Sequence, residues 1–469
     1  MLFFWRKREG PGQEGRRRIN PPKVVAVSFL VTILLASLLL ELPFATSSGK
    51  SLPYIDALFT ATSATCVTGL IVKDTGKDFS LFGQLVILLL IQMGGLGIMT
   101  MSTFFLLLFG RKISLRDSVT VRTSLGGKDI GSTAELLKHA LLLTFGIELA
   151  GAAILFWRFH WGATGFGVGK AAYHAIFHAI SAFCNAGFSL YNTSLIGKEW
   201  LVVLTMAVLV VLGGWGFLVV YNIGNLRFWR KDKTARRRLS LQSRVVLFAT
   251  AALLALGFVS FLILEWNAGM SGQHLPRRLL SSFFCAVTPR TAGFNTIEYN
   301  RMSSPGLLVS MFLMFIGASP GSTGGGIKTC TFVVLLATSY VIIRGRKSVV
   351  LFKRTIPDRI VQEAIAVALI SLIFVSLSAV ALTISEGATQ AWTTSGGRFV
   401  ARTTFEAFSA FGTVGLSTGI TPHLSLAGKI IIIVTMFVGR IGPLALALIV
   451  AGREIRPSVG YPEETVMIG

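Results

Sequence analysis

Charge is scarce in this chain. Only 14% of its 469 residues are Asp, Glu, Lys or Arg, against 52% hydrophobic. That balance excludes a string of ordinary soluble domains, although the length alone would suit about three of them. Acidic residues are the scarcer sign, 21 against 44 basic, for a formal net charge of +23. Such an excess can mark nucleic-acid binding. Here the Lys and Arg lie in short segments between apolar runs, so membrane topology accounts for them and no nucleic-acid partner is expected. Cysteine is nearly absent: Cys66, Cys184, Cys285 and Cys330 show neither CxxC nor metal-ligand spacing. Neither HExxH nor GxSxG occurs in a credible context, and the six histidines show no paired metal spacing. An intramembrane enzyme would need such a nucleophile or metal cluster, so no enzymatic activity is expected. What the chain does have is a mean hydropathy of +0.69 and many apolar runs near the roughly 20 residues that span a bilayer. It reads as an all-α polytopic membrane protein.

Phe59 to Leu70, FTATSATCVTGL, returns three times in altered form: FHAISAFCNAGF (177–188), FFCAVTPRTAGF (283–294) and FEAFSAFGTVGL (405–416). In each copy a Phe stands ten positions before a Gly, giving Phe59/Gly69, Phe177/Gly187, Phe283/Gly293 and Phe405/Gly415. Ser-Ala recurs at one offset in three copies, at Ser63, Ser181 and Ser409. The glycines are separated by 118, 106 and 122 residues, the signature of an internal repeat.

Apolar runs bracket every copy: 23–40 and 81–109, 137–157 and 200–224, 245–264 and 306–343, 361–384 and 427–451. This predicts eight spans in four pairs, each pair enclosing a segment of roughly 10–12 residues that is too short to cross. The segments joining one pair to the next are rich in basic residues, notably Arg111 to Lys128, Arg227 to Arg238 and Arg344 to Arg359. The segments within pairs are poorer. Positive-inside then places both termini and the joining loops in the cytoplasm, and the repeated segments enter from outside. The basic start followed by the run at 23–40 is longer than a signal-peptide core and lacks a small-residue cleavage site, so it reads as a span.

Non-helical backbone within a membrane is tolerated only where it is buried in protein or lines water. Each copy reads as a short helix followed by a turn: Thr65, Cys66, Val67, Thr68 and Gly69; Cys184, Asn185, Ala186 and Gly187; Arg290, Thr291, Ala292 and Gly293; Gly412, Thr413, Val414 and Gly415. Glycine there lets successive carbonyls aim the same way. Four such strands can replace the hydration shell of a monovalent cation, with the C-terminal ends of four short helices directing partial negative charge to the axis. The competing reading, close helix packing through small residues, does not require a common Phe-to-Gly offset in four loops.

A span, re-entrant loop and span, with a T-x-G type filter, four times in one chain, resembles the Trk/Ktr/HKT superfamily of potassium transporters, most nearly the Ktr-type membrane subunits. The resemblance covers about residues 23 to 452. It implies four repeats around a pseudo-fourfold central pore. It also implies K⁺ uptake, often Na⁺-dependent, by a homodimer in a bacterial plasma membrane under a cytosolic nucleotide-binding ring. K⁺ is then the transported ion, bound at the filter only, Na⁺ a candidate coupling ion, and no organic cofactor is implied. Gly at all four filter positions favours K⁺ by the same resemblance. Two rivals remain: a Na⁺-permeable transporter of the same architecture, and a secondary small-solute transporter, which would predict inverted repeats.

The second runs also repeat. Gly94-Gly95-Leu96-Gly97, Gly213-Gly214-Trp215-Gly216, Gly317-Ala318-Ser319-Pro320 and Gly439-Arg440-Ile441-Gly442 each begin about 25 residues beyond their filter Gly. Arg440 stands where the other copies have a small residue, at a cost of about 2.5–3.5 kcal/mol in mid-membrane, which marks function or the capping of a broken helix. The family carries an Arg at this place in the pore. The third copy aligns with the others only if about six residues rich in Gly, Ser and Thr are inserted, and the resulting stretch Gly317, Ala318, Ser319, Pro320, Gly321, Ser322, Thr323, Gly324, Gly325 and Gly326 resembles the family's intramembrane gating loop. A phosphate-binding Walker loop nearly fits at Gly321 to Thr329, but Ile327 interrupts it and no soluble strand precedes it.

The chain divides into a cytoplasmic N-terminus (1–22), repeat 1 (23–110), loop and repeat 2 (111–226), loop and repeat 3 with the insert at 317–326 (227–344), loop and repeat 4 (345–452), and a cytoplasmic tail (453–469). The basic loops suit a regulatory subunit or anionic lipid alike. Glu148 is a weak candidate for a cation or an ion pair. Asp56, Asp74 and Asp78 lie near the outer side of the first copy and read as solvated charges or as a means of raising the local cation concentration, and His174 and His178 read as one face of a short helix.

Overall fold

The computed structural model describes residues 21–97, 133–162, 165–224, 239–346, 348–387 and 397–442. The basic stretches 111–128 and 227–238 and both termini lie outside the described residues. The described chain is almost wholly helical; its one sheet pairs Val350–Leu351 (β1) antiparallel with Arg354–Thr355 (β2).

Helices recur in the order first, short, second. The first helices are α1 (Pro21–Glu41), α4 (Thr133–Trp161), α8 (Leu241–Leu264) and α12 (Asp358–Gly387). The short ones are α2 (Tyr54–Thr65), α5 (Val168–Phe183), α9 (Leu275–Val287) and α13 (Gly397–Gly412). The second helices are α3 (Leu81–Gly95), α6 (Trp200–Trp215) continued by α7 (Phe217–Gly224), α10 (Ser304–Phe315) followed by α11 (Thr329–Ile343), and α14 (Leu426–Ile441). The short helices have 12, 16, 13 and 16 residues, so two exceed the expected length by about a turn.

Parts of two expected spans, 98–109 and 443–451, lie outside the described residues, and within the described residues the second helices are interrupted. Among the described residues Ala140–Trp161, Leu241–Leu264 and Asp358–Gly387 are long and apolar enough to cross a membrane, and α6 with α7 makes a fourth, bent by 99°. The second helices account for most of the difference. α6 and α14 stop at a glycine with left-handed backbone, Gly216 (φ +81°) and Gly442 (φ +94°), a conformation that ends a helix, and α3 ends at Gly95, two residues before the left-handed Gly97 (φ +86°). In the third copy the break widens into the stretch 316–328 between α10 and α11. Apolar composition runs straight through the break between α6 and α7.

Local chemistry starts the second helices. Ser80, Ser303 and Ser425 cap them by accepting from the N–H of Gly83, Gly306 and Gly428. Glu265 and Glu386, at the ends of the first helices, in turn accept from the Ser303 and Ser425 hydroxyls at 2.6 and 2.7 Å. A side chain at Gly306 or Gly428 would collide with these carboxylates.

Candidate functional site

The four repeated segments come together. Phe59, Phe177 and Phe405 are fully buried, as is Phe284 rather than Phe283 in the third copy. After each short helix the backbone repeats one conformation: left-handed at Val67, Asn185, Thr291 and Thr413 (φ +56°, +59°, +73° and +47°), and left-handed again two residues later at Gly69, Gly187, Gly293 and Gly415 (φ +92°, +72°, +77° and +91°). Three of the first four, Val67, Thr291 and Thr413, are β-branched residues that enter this region only under strain.

Strand N–H groups turn back to the helices, as in Cys66 to Thr62, Val67 to Ala64 and Thr68 to Ser63, with the same pattern in the second copy at Cys184, Asn185 and Ala186. The repeated serine holds the next step. Ser63 Oγ accepts from Gly69 N–H at 3.1 Å and donates to the Leu70 carbonyl at 2.7 Å. Ser181 donates to the Phe188 carbonyl and Ser409 accepts from Gly415 N–H. In the third copy Thr288, one residue later in register, donates to the Phe294 carbonyl. Oxygen is what remains: among the described residues, the carbonyls of Val67, Thr68, Gly69, Ala186, Gly187, Ala292, Gly293, Val414 and Gly415 accept no backbone hydrogen bond. The buried hydroxyls of Thr65, Thr68 and Thr413 are likewise without a partner.

The glycines approach one another in cyclic order. A methyl added at Gly187 would lie 2.9 Å from the Gly293 Cα; at Gly293, 3.4 Å from the Gly415 Cα; at Gly415, 2.9 Å from the Gly69 Cα; and at Gly69, 3.0 Å from the Gly187 Cα. Left-handed backbone and the neighbouring strand each demand glycine at these positions. The Asn185 amide and the Thr291 hydroxyl, 3.0 Å apart, link two adjacent strands. Arg290 does not join this group through its side chain, which is buried in a crevice lined by Val210, Val211, Gly214, Leu254 and Val287.

The insert and Arg440 also meet. Arg440, buried, donates to the carbonyls of Thr323 and Gly94. The insert is tied to the break in α6: Ser319 N–H donates to the Gly214 carbonyl at 3.1 Å, Thr323 N–H to that of Gly213 at 3.4 Å, and Phe217 N–H to that of Gly321 at 3.3 Å. Thr323 Oγ1 donates to the Phe183 carbonyl at the end of α5. A methyl at Gly324 would stand 3.0 Å from Thr291 Cβ, and one at Gly325 2.9 Å from Thr413 Cγ2. The insert therefore lies against the third and fourth strands. Lys328 Nζ donates to the Gly324 carbonyl at 2.7 Å, a second cation at this loop that the sequence reading passed over.

Three carboxylates have partners that sequence reasoning missed. Asp56 is buried and pairs with Lys429 at 2.7 Å, so it is not the solvated charge expected. Glu148 takes both hydrogen bonds of the Gln92 amide, at 3.2 and 3.3 Å, and the Cys184 thiol at 3.7 Å. Glu406, fully buried on α13, accepts from the Ser417 and Thr421 hydroxyls and from Thr418 N–H. Asp74 accepts from the N–H of Gly76 and Lys77, a local turn. His178 bonds the Ser189 hydroxyl at 3.2 Å and stacks on Tyr191, in keeping with a packed helix face.

The chain is 42% identical over 457 residues to the Ktr system potassium uptake protein B of Bacillus subtilis (strain 168), covering 96% of this chain and 97% of that one. It is 39% identical over 459 residues to the potassium/sodium uptake protein NtpJ of Enterococcus hirae, covering 97% and 98%. Its fold is similar to the crystal structure of the potassium transporter TrkH from Vibrio parahaemolyticus, with a TM-score of 0.67 at 18% identity over 95% of this chain and 86% of that one. Residues 17–456 match the family model TrkH, cation transport protein, and the chain belongs to that family.

Proposed function

We propose that this protein is the ion-translocating membrane subunit of a bacterial potassium-uptake system, and that its four strands form one K⁺ selectivity filter around a pseudo-fourfold axis. The observation that carries this reading is the closed order of contacts Gly69, Gly187, Gly293, Gly415 and back to Gly69. Strands whose N–H groups are used internally and whose carbonyls are not can offer a cation a cage of oxygens in place of water. The names of the relatives support K⁺ as the ion, and the potassium/sodium uptake relative supports Na⁺ as a second ion in coupling or permeation.

Directly against the strands, the insert 317–326 and Arg440 form the gate. A permanent positive charge repels a passing cation by about 4 kcal/mol at 4 Å for an effective dielectric near 20. Glycines in the insert give it the freedom to move aside, while its bonds to α6 and Arg440 hold it closed. The protein resides in the plasma membrane with both termini in the cytoplasm, works as a homodimer, and is controlled by a cytosolic nucleotide-binding subunit docked on the basic loops. The word system in the name of its Bacillus relative supports partner components.

Expression in a bacterium lacking K⁺ uptake tests the reading. Growth at low K⁺ is expected to be restored, with Na⁺ present and absent compared. Failure of a membrane-inserted protein to support growth or ⁸⁶Rb⁺ uptake under both conditions would overturn it.

A further inference from the structure

Two buried carboxylates back the candidate filter. Glu148 is 4% exposed and Glu406 0% exposed. Among the described residues neither forms an ion pair, in contrast to Asp56, which has Lys429. Glu148 is held by a neutral amide, Gln92, and touches the thiol of Cys184 at the start of the second strand. Glu406 is held by two hydroxyls and the N–H of Thr418, three residues beyond Gly415 of the fourth strand. The two therefore sit at opposite ends of strands that are not cyclic neighbours.

The fold does not demand either charge. Position 148 lies 36 residues before Cys184, and the residue 36 before Arg290, at the same step of the third copy, is Leu254. The residue following the repeat Phe, Glu406 in the fourth copy, is Thr60, His178 and Phe284 in the others. Glu265, a further buried carboxylate, is accounted for by the start of α10 through Ser303. A buried lone charge is costly and takes a proton or finds a counter-ion. Among the described residues no cationic side chain pairs with Glu148 or Glu406, whose contacts run to Cys184 at the start of the second strand and to Thr418 just beyond the fourth.

We propose that Glu148 and Glu406 are positioning residues of the filter that act by charge, raising cation affinity at its inner and outer ends. This rests on the filter reading above. Charge acts on every small monovalent cation alike, whereas a distorted strand changes the fit and so the preference among ions.

The test measures uptake of K⁺, Rb⁺ and Na⁺ by the full-length protein in proteoliposomes, for wild type, Glu148→Gln, Glu406→Gln and the double variant. Gln keeps size and one accepting oxygen. Each single variant is expected to raise the apparent KM for K⁺ and Rb⁺ by the same factor, on the order of tenfold, with the maximal rate and the K⁺/Na⁺ ratio unchanged. The double variant should show the product of the two factors, as independent sites do. Unchanged KM in both single variants, or a KM change accompanied by a shifted K⁺/Na⁺ ratio, overturns the proposal. If a Gln variant is poorly inserted, Glu→Asp at the same site keeps the charge and is expected to retain wild-type KM; a tenfold loss there as well overturns it. Gly187→Ser, assayed alongside, separates the two readings. Lost selectivity in that variant with no effect of the Gln changes sinks the charge proposal alone, and unaltered selectivity in it sinks the filter.

Discussion

The four strands and the ground beneath them obey opposite rules. At the strands every copy repeats the same two left-handed residues, and a hydroxyl tethers each turn. Some 25 residues further along, the copies part company. Two have glycine pairs, one has the lengthened polar loop 317–326 and one has Arg440. Recognition of a spherical ion rewards equivalent ligands from every side. Control by a movable part rewards the reverse, one loop that differs from its three counterparts and one charge for it to bond. On the proposed reading of filter and gate, the sequence diverges where divergence is useful.

The largest effect should come from breaking the equivalence itself. Ser at Gly69, Gly187, Gly293 or Gly415 must adopt a left-handed backbone and displace the neighbouring strand. Each variant is expected to lose most K⁺ uptake or K⁺/Na⁺ discrimination, read as ⁸⁶Rb⁺ flux with Na⁺ competition. Wild-type selectivity in all four would mean that the strands are not the filter.

Removing the asymmetry below comes next. Deleting three residues within Ala318–Gly325, or Arg440→Ala, takes away the Arg440 bond to the Thr323 carbonyl. Both should raise K⁺ flux at equal expression, and flux at wild-type levels in both would place the gate elsewhere. The smallest effect is expected from Ser181→Ala or Ser409→Ala, each deleting one hydroxyl tether worth about 1 kcal/mol. A fewfold fall in K⁺/Na⁺ selectivity with normal expression is the expected reading, and Thr288→Ala should behave as its equivalent although it is offset by one residue. No selectivity change in any of the three would show the tethers to be dispensable.

Much of this was legible in the sequence because the repeat writes the same local problem four times. The Phe-to-Gly offset located the short helices and turns, and the recurring Ser-Ala was visible although its purpose was not. The breaks in the second helices were hidden from hydropathy, since Trp200–Trp215 and Phe217–Gly224 are equally apolar; only the left-handed Gly216 separates them. Asp56 looked like an outer solvated charge because its partner is 373 residues away. Glu406 was silent because its three partners lie on the strand's far side, beyond any helical period. Composition did not show that the insert is tied down, through Ser319 and Thr323 to Gly214 and Gly213 of α6 and through Gly321 to Phe217 of α7.

The link between Asp56 and Lys429 has a consequence for how the molecule is made. It joins the first short helix to the last second helix across 373 residues, and the approach of Gly69 to Gly415 closes on the same seam. At a synthesis rate of about 5–20 residues per second, the first repeat waits roughly 20–75 s for the partner that completes it. Through that interval Asp56 has no cation to meet and the first strand has an open side. A nascent chain that stops short of the fourth repeat therefore lacks both the Asp56–Lys429 pair and the approach of Gly415 to Gly69, so the four-stranded arrangement proposed as the filter is completed only when the last repeat is in place.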